Sequence, residues 1–551
     1  MRSSPFVALF CCLAFFQLAA QAGNPWDESA AATEAAALKL PKPGDYGLRV
    51  ISPEWLEMSR VTCKEAAETP LEIWNFAEEA KRPAPADFEV TVNGKPAAVE
   101  SVGFKRRVLY APLKVRDLRV GNWLFLKLAA AVPEGAEVKV TSKREGVILS
   151  GESWAARAEA WRFNPALHVN QDVYAAAGAK LGYAGYYLGS AGELPITAQK
   201  FSLVDLATGE KAFEGNLIPR PDKGFGHPSY QHVLAADFSE FAKPGHYVLA
   251  VPGMGASLPF WIDVGGAGLM ARTYALGIYH QEDGAPGTLQ PFTRFTHGPA
   301  HAAPAQIITP ESPHNKSIEG TSADAAKDPK HTAPIMKSAA DSLYPIIKTG
   351  EVDVSGGHHD AGDYSKYTIN SAGFIHYLIF AADSFPGVAD LDNLGIPESG
   401  DGISDMIQMA KWESDFLVKM QDDDGGFFFL VYPRERKYED DVTPDQGDPQ
   451  IVYPKNTAAT AAAVAALAQT ATSPAFKKAY PKEAEKYLAA AKKGWDFLQK
   501  AIAKYGWEGS YQKITHYGNT FSHDDEMAWA AVQMFLATGD PKIQEDLKSR
   551  F

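Results

Sequence analysis

The chain has 551 residues and a formal net charge of -14 at pH 7. That length allows about three domains with ample cores, and the acidic balance excludes nucleic acid and anionic membranes as partners while leaving neutral substrates open. A monomer is expected. Residues 1–22 read as a secretory signal: Arg2 supplies the basic start, "FVALFCCLAFF" the apolar stretch, and Ala20-Gln21-Ala22 the cleavage site before Gly23. The apolar run is well short of the roughly 20 residues that a spanning helix needs, so a secreted or periplasmic protein is expected rather than an anchored one. Cleavage removes Cys11 and Cys12 and leaves Cys63 as the only cysteine, which excludes an internal disulfide and a cysteine-rich metal site.

Residues 23–43 are small, polar and end in proline, as a linker does. Over 44–150, short alternating runs such as "FEVTVNG", "NWLFLKLA" and "AEVKVTS" are separated by Gly, Pro and Asn-Gly turns, which predicts a β module. A second β region over 166–265, with "ALHVNQDVY", "FSLVDLATG", "HYVLAVPG" and "LPFWIDVG", has the spacing of a sandwich. From 266 onward the period becomes helical. Met406, Met409, Phe416 and Met420 form one stripe, and Leu488, Ala491, Trp495, Leu498 and Ile502 form another. About seven helices are expected, joined by long loops rich in Gly, Pro, His and Asp. The run "NTAATAAAVAALAQTA" is alanine-rich enough to predict close helix–helix contact.

One loop carries the chemistry. In "SGGHHDAGDYSKY", Asp360 and Asp363 are three residues apart around Gly362, a spacing that lets both carboxylates face one side of a turn and hold one water between them. A carboxylate with an ordinary pKa of about 4 is deprotonated at neutral pH and needs only a positioned water to act as a general base. The alternative is structural: either aspartate could cap the helix that begins in "YSKYTINSAGFIHYLIFAA". His358 and His359 raise the question of a metal, but adjacent side chains rarely reach one ion together and no third ligand is evident.

The motif "GGHHDAGDYSKY" resembles the aspartate motif of glycoside hydrolase family 9, the cellulase family with an (α/α)6 barrel. The segment "LDNLGIPESGDGISDMIQMAKWESDFLVKMQDDDGGFFF", then "YPKNTAATAAAVAALAQTA" and "HDDEMAWAAVQMFLATGD", are similar to later parts of that family in the right order. Upstream, "LHVNQDVY" and the β region after it resemble the immunoglobulin-like module that commonly precedes these barrels. The resemblance, over about residues 166–551, implies an immunoglobulin-like module before part of an (α/α)6 barrel, and an inverting glycosidase acting on β-1,4-glucan; with the β module read over 44–150, two N-terminal β-sandwich-like modules followed by an incomplete all-α (α/α)6 barrel are expected. Asp363 matches the catalytic base and Asp360 the partner that holds the water. His358 and His359 would contact sugar, although position 358 is usually aromatic in the family.

No cofactor is implied by the resemblance. Zinc-bearing relatives use cysteines where Asp283 and Ala300 stand here, so zinc is not expected. Asp525 and Glu526 resemble residues that contribute to a structural calcium site in some members; the alternative is a charged helix N-terminus favoured by the dipole. The family's Asn-Glu acid motif has no counterpart up to Phe551, which predicts only trace turnover for this length of chain. A competing reading is therefore a carbohydrate-binding or interaction protein built on the same modules.

Overall fold

The computed structural model describes residues 40–109, 118–220, 232–285, 287, 296–308, 314, 327, 342–440, 442–512, 514 and 522–550. The expected leader, residues 1–22, and most of the expected linker over 23–43 lie outside these residues. Two compact units divide near Met270, and each is described by itself.

The first unit opens with a sandwich of two four-stranded antiparallel sheets. Alternation builds one of them: in Glu137–Ser142 the side chains of Val138 and Val140 turn inward while Glu137 and Lys139 face out. A two-residue Asn93-Gly94 turn, with φ of 48° and 75°, closes the hairpin from Phe88–Val92 to Lys95–Ala97. This is the left-handed pair of conformations that a tight hairpin demands. The module runs past the expected end at 150, because Trp154–Arg157 pairs with Glu137–Ser142 and Trp154 enters the core.

The other sheet of this sandwich is buried on both faces. Leu56, Met58, Leu124 and Leu126 pack inward, whereas Trp55 and Phe125 point away and join the core of the following β region. That is why Trp55–Cys63 is buried along nearly its whole length instead of alternating. Glu57, fully buried, accepts a hydrogen bond from the Tyr186 hydroxyl at 2.6 Å and an ion pair from Arg49 at 2.9 Å. Asn164 donates to the carbonyls of Ile51 at 2.6 Å and Met254 at 2.9 Å. The second β region is itself two layers. Lys211–Pro219 pairs first with Lys200–Asp205 and then with Leu234–Asp237, so it crosses from one layer to the other over the core of Phe201, Leu203, Leu249 and Phe260.

The second unit is helical. Seven helices of ten residues or more are present among the described residues: α1 Gly266–Tyr279, α2 Thr368–Ser384, α3 Asp405–Lys419, α4 Thr457–Thr472, α5 Pro481–Tyr505, α6 Asp524–Thr538 and α7 Pro541–Arg550. The alanine-rich α4 begins where the Asn456 side chain accepts from Ala459 N at 2.7 Å, and it packs against α2, α5 and α6. Its short side chains permit close approach: a Cβ on Gly494 of α5 would sit 2.5 Å from Val464. The buried stripe of α5 is Ala484, Tyr487, Ala490, Ala491, Gly494, Phe497, Leu498 and Ala501, shifted from the expected one, which leaves Leu488, Trp495 and Ile502 at the margin. The Met406–Met420 stripe of α3 is buried as expected.

An all-α reading of this unit misses a small sheet. Five strands occur in the order Glu351–Val352, Ala305–Ile307, Gln450–Val452, Leu430–Pro433 and Lys366–Tyr367. Each has two to four residues, too few to show a period in the sequence. The sheet places Lys366–Tyr367 at its edge, directly after the aspartate loop.

Candidate active site

The aspartate loop is fastened before it reaches its carboxylates. Gly356 and Gly357 adopt φ of 77° and 73°, a region that favours glycine, and a Cβ on Gly357 would lie 2.7 Å from the Phe416 ring. From α3, the Trp412 indole donates to Gly357 O at 3.0 Å and Lys419 donates to Ser355 O at 2.9 Å. From the end of α1, Asp283 N donates to Gly357 O at 2.8 Å, and His359 N donates to Gln281 O at 3.1 Å.

Asp360 and Asp363 then emerge on one short turn. Asp360 N–H donates to Ser365 O at 2.8 Å, and Asp360 Oδ1 accepts from Asn370 Nδ2 of α2 at 2.6 Å. Asp363 Oδ1 accepts from Ser365 N at 3.1 Å and Ser365 Oγ at 2.7 Å. Directly after Asp363, Tyr364 has φ of 59°, a strained conformation for a bulky residue and one that clusters at functional sites. Neither aspartate caps a helix: α2 starts after Tyr367 with no side-chain cap. The Tyr432 phenol, raised chiefly by burial and by Tyr438, is raised further by the Asp363 charge, which places Tyr432 in electrostatic reach of that carboxylate.

His358 and His359 point into the protein. His358 Nδ1 pairs with Glu413 Oε2 at 2.6 Å, and its ring meets Phe374 edge-on at 4.5 Å. Both histidines line a cavity of about 230 Å³ together with Asp360, Asn370, Phe374 and Glu413. His359 also lines a cavity of about 570 Å³ with Ala361, Gly362, Tyr364 and His297. Sequence reading passed over Glu413, although it is the one charged residue interrupting the 406-409-416-420 stripe of α3. Asn370, Ser365 and Lys366 carry no such signal.

Glu282, beside this cluster, is pushed up to about 8 by burial, with the Glu398 and Glu413 charges adding to it. The unfolded chain titrates this group near 4.5. Between those values the folded state keeps a proton that the unfolded state has lost, so the stabilisation is full below about pH 4.5 and disappears as pH rises through about 8. The melting temperature of the protein is expected to fall from pH 5 to 8, and Glu282→Gln to flatten that fall; a variant with the parental slope refutes the assignment.

Asp283, His301 and His359 offer ligand atoms all within 4.8 Å of one another. Zinc does not fit them as they stand. Asp283 Oδ2 already accepts from Lys366 Nζ at 2.9 Å and Oδ1 from Ala300 N at 2.6 Å. The Lys366 nitrogen also donates to Val354 O at 2.9 Å and Gly356 O at 2.6 Å. Three acceptors require the three protons of an ammonium. A divalent ion about 4 Å from that ammonium would be repelled by about 8 kcal/mol at an effective dielectric of about 20. Burial alone would raise the Asp283 carboxyl, but the nearby imidazoles and the Lys366 charge hold it well below the usual carboxylate range. Burial, ahead of the Lys366 charge, pushes His301 down to about 4.

Asp525 and Glu526 lie in the first turn of α6, where the helix dipole favours acidic groups. Glu526 is pushed up to about 7 by burial and then by Asp525.

Residues 292–551 match the family model described as Glycosyl hydrolase family 9, and residues 162–256 match that of the Cellulase N-terminal ig-like domain. Endoglucanase D of Acetivibrio thermocellus is 28% identical over 328 residues, 59% of this chain and 46% of that protein. A xyloglucan-specific endo-beta-1,4-glucanase of Bacteroides ovatus is 25% identical over 359 residues, 63% of this chain and 55% of that protein. The chain thus spans about half the length of these curated relatives. The crystal structure of a metagenome-derived glycoside hydrolase family 9 endoglucanase superposes with a TM-score of 0.51 at 26% identity, covering 70% of this chain and 63% of that one.

Proposed function

The chain belongs to glycosyl hydrolase family 9, and from that premise we propose that it serves inverting hydrolysis of β-1,4-linked glucan with Asp363 as general base. The observation that carries this reading is the Asp360–Asp363 turn, in which each carboxylate is fixed through its Oδ1, by Asn370 and by Ser365. We assign the remaining oxygen of Asp363 to the proton of the attacking water, and that of Asp360 to holding the same water. Inversion further requires a protonated carboxyl on the opposite face of the sugar, roughly 6.5–9.5 Å away, to donate to the leaving oxygen. No metal or organic cofactor enters these steps. The helices of the second unit are proposed to form part of an (α/α)6 barrel around the cleft.

Inversion gives a product that starts as the α-anomer. Proton NMR of cello-oligosaccharide hydrolysis by the full-length natural protein is expected to show it first; early β-anomer overturns the mechanism. Binding without any turnover would favour the carbohydrate-binding reading instead. The protein is further proposed to act after export, as a monomer, with neither nucleic acid nor membrane as partner. No described helix is long and apolar enough to cross a membrane. Mass spectrometry of the mature protein is expected to place its N-terminus at Gly23, and an intact Met1 start refutes export by this leader.

A further inference from the structure

The Asp283 cluster has the donors of a metal site and the charge balance of a finished ion pair. His301 Nδ1 lies 3.4 Å from Asp283 Oδ2, and His359 Nε2 lies 3.4 Å from Asp283 Oδ1. Both separations are longer than a good hydrogen bond. Either one alone has the length of a tetrahedral edge with bonds of about 2.1 Å, about 3.4 Å, but they run to the two different oxygens of the carboxylate, so an ion would have to draw the rings toward one of them. Among the described residues, both ring nitrogens of the fully buried His301, and Nε2 of His359, make no hydrogen bond of good geometry, the Asp283 carboxylate being the nearest acceptor to each ring. Such orphaned imidazoles are costly unless something else uses them.

We propose that the Lys366 ammonium is the resident cation of this cluster, bracing the aspartate loop without a metal and excluding divalent ions from a donor set that would otherwise bind one. Its three hydrogen bonds tie three pieces of chain together: Asp283 after α1, Val354 and Gly356 at the start of the loop, and the edge strand that carries Lys366 itself. The Phe416 ring of α3 lies 5.1 Å from the nitrogen and completes the enclosure. Lys366 is therefore a positioning residue for Asp360 and Asp363, a part of the inference that rests on the proposed hydrolysis. The metal selectivity does not depend on it.

Replacing the ammonium converts the site. In Lys366→Ala, the Asp283 carboxylate and two neutral imidazoles face a space that can take an ion and a water as fourth ligand. Equilibrium dialysis with Zn²⁺ is expected to give no tightly bound ion for the parent chain and one equivalent for Lys366→Ala. Co²⁺ should give visible absorption of a low-coordinate nitrogen and oxygen site in the variant only. Adding His301→Ala should abolish both signals. Lys366→Gln, which keeps donors for the two carbonyls but not the charge, serves if the alanine variant does not fold, and should bind Zn²⁺ at least tenfold more tightly than the parent. One His301-dependent equivalent in the parent overturns the proposal, as does a folded Lys366→Gln with parental affinity. These readouts are independent of hydrolysis. Loss of turnover in Asp363→Asn with parental zinc behaviour, or the reverse, separates the two readings.

Discussion

Asp363→Asn in the full-length natural protein is expected to lower hydrolysis of soluble β-1,4-glucan by about 10²–10⁴-fold, the range for loss of a general base. The amide has nearly the shape of the carboxylate and can still accept from Ser365 N and Oγ through its oxygen, so the turn around Tyr364 should survive. Circular dichroism should be unchanged, and KM should move little because the lost interaction belongs to the attacking water. Asp360→Asn should cost less, since Asn370 still fixes its position and only the hold on the water weakens. Hydrolysis by Asp363→Asn within a few-fold of the parent would remove Asp363 from the mechanism.

The largest effect on stability is expected at Lys455. Its nitrogen lies 2.7 Å from Asp422 Oδ2 and 2.8 Å from Asp424 Oδ2, and the side chains of Lys455 and Asp422 are fully buried. Asp422 also accepts from Ile347 N and Lys348 N at 2.8 and 2.9 Å, tying a loop to the turn after α3. Lys455→Met leaves a buried carboxylate without its counter-charge, which costs about 3–5 kcal/mol. Urea unfolding of the helical unit should show that loss. The double variant Lys455→Met with Asp422→Asn should recover part of it, because the stranded charge is gone. A loss below about 1 kcal/mol in the single variant would show that Asp422 takes up a proton or water without penalty.

Much of this protein could be read from local pattern, and the exceptions share one cause. Alternation in "AEVKVTS", the Asn-Gly turn, the Met406–Met420 stripe and the aspartate spacing are all properties of a few neighbouring residues. They correspond to the strand, the hairpin, the buried helix face and the shared turn seen in the structure. What escaped depends on partners distant in sequence. Glu413 meets His358 across 55 positions, and Lys366 meets Asp283 across 83. No window short enough to carry a period contains either pair. The stripe on α5 was shifted for a related reason: its inward face is centred where Gly494 comes close to Val464 of α4, a partner 30 positions away in sequence. The edge strand Lys366–Tyr367 exists because Leu430–Pro433 is there to pair with it.

The sheet buried on both faces in the first unit bears on how such a protein can change by recombination of its gene. The stretch that matches the ig-like domain family covers 162–256 alone, and it looks like a portable cassette. Here it is not separable. A cut between 158 and 162 would uncover Trp55 and Phe125 on one piece, strip the Tyr186 hydroxyl of its Glu57 acceptor on the other, and take the Ile51 carbonyl from Asn164. Crossovers that leave both pieces soluble are therefore expected outside 44–265, and a chimera that borrows 162–256 by itself should be recovered only as insoluble protein.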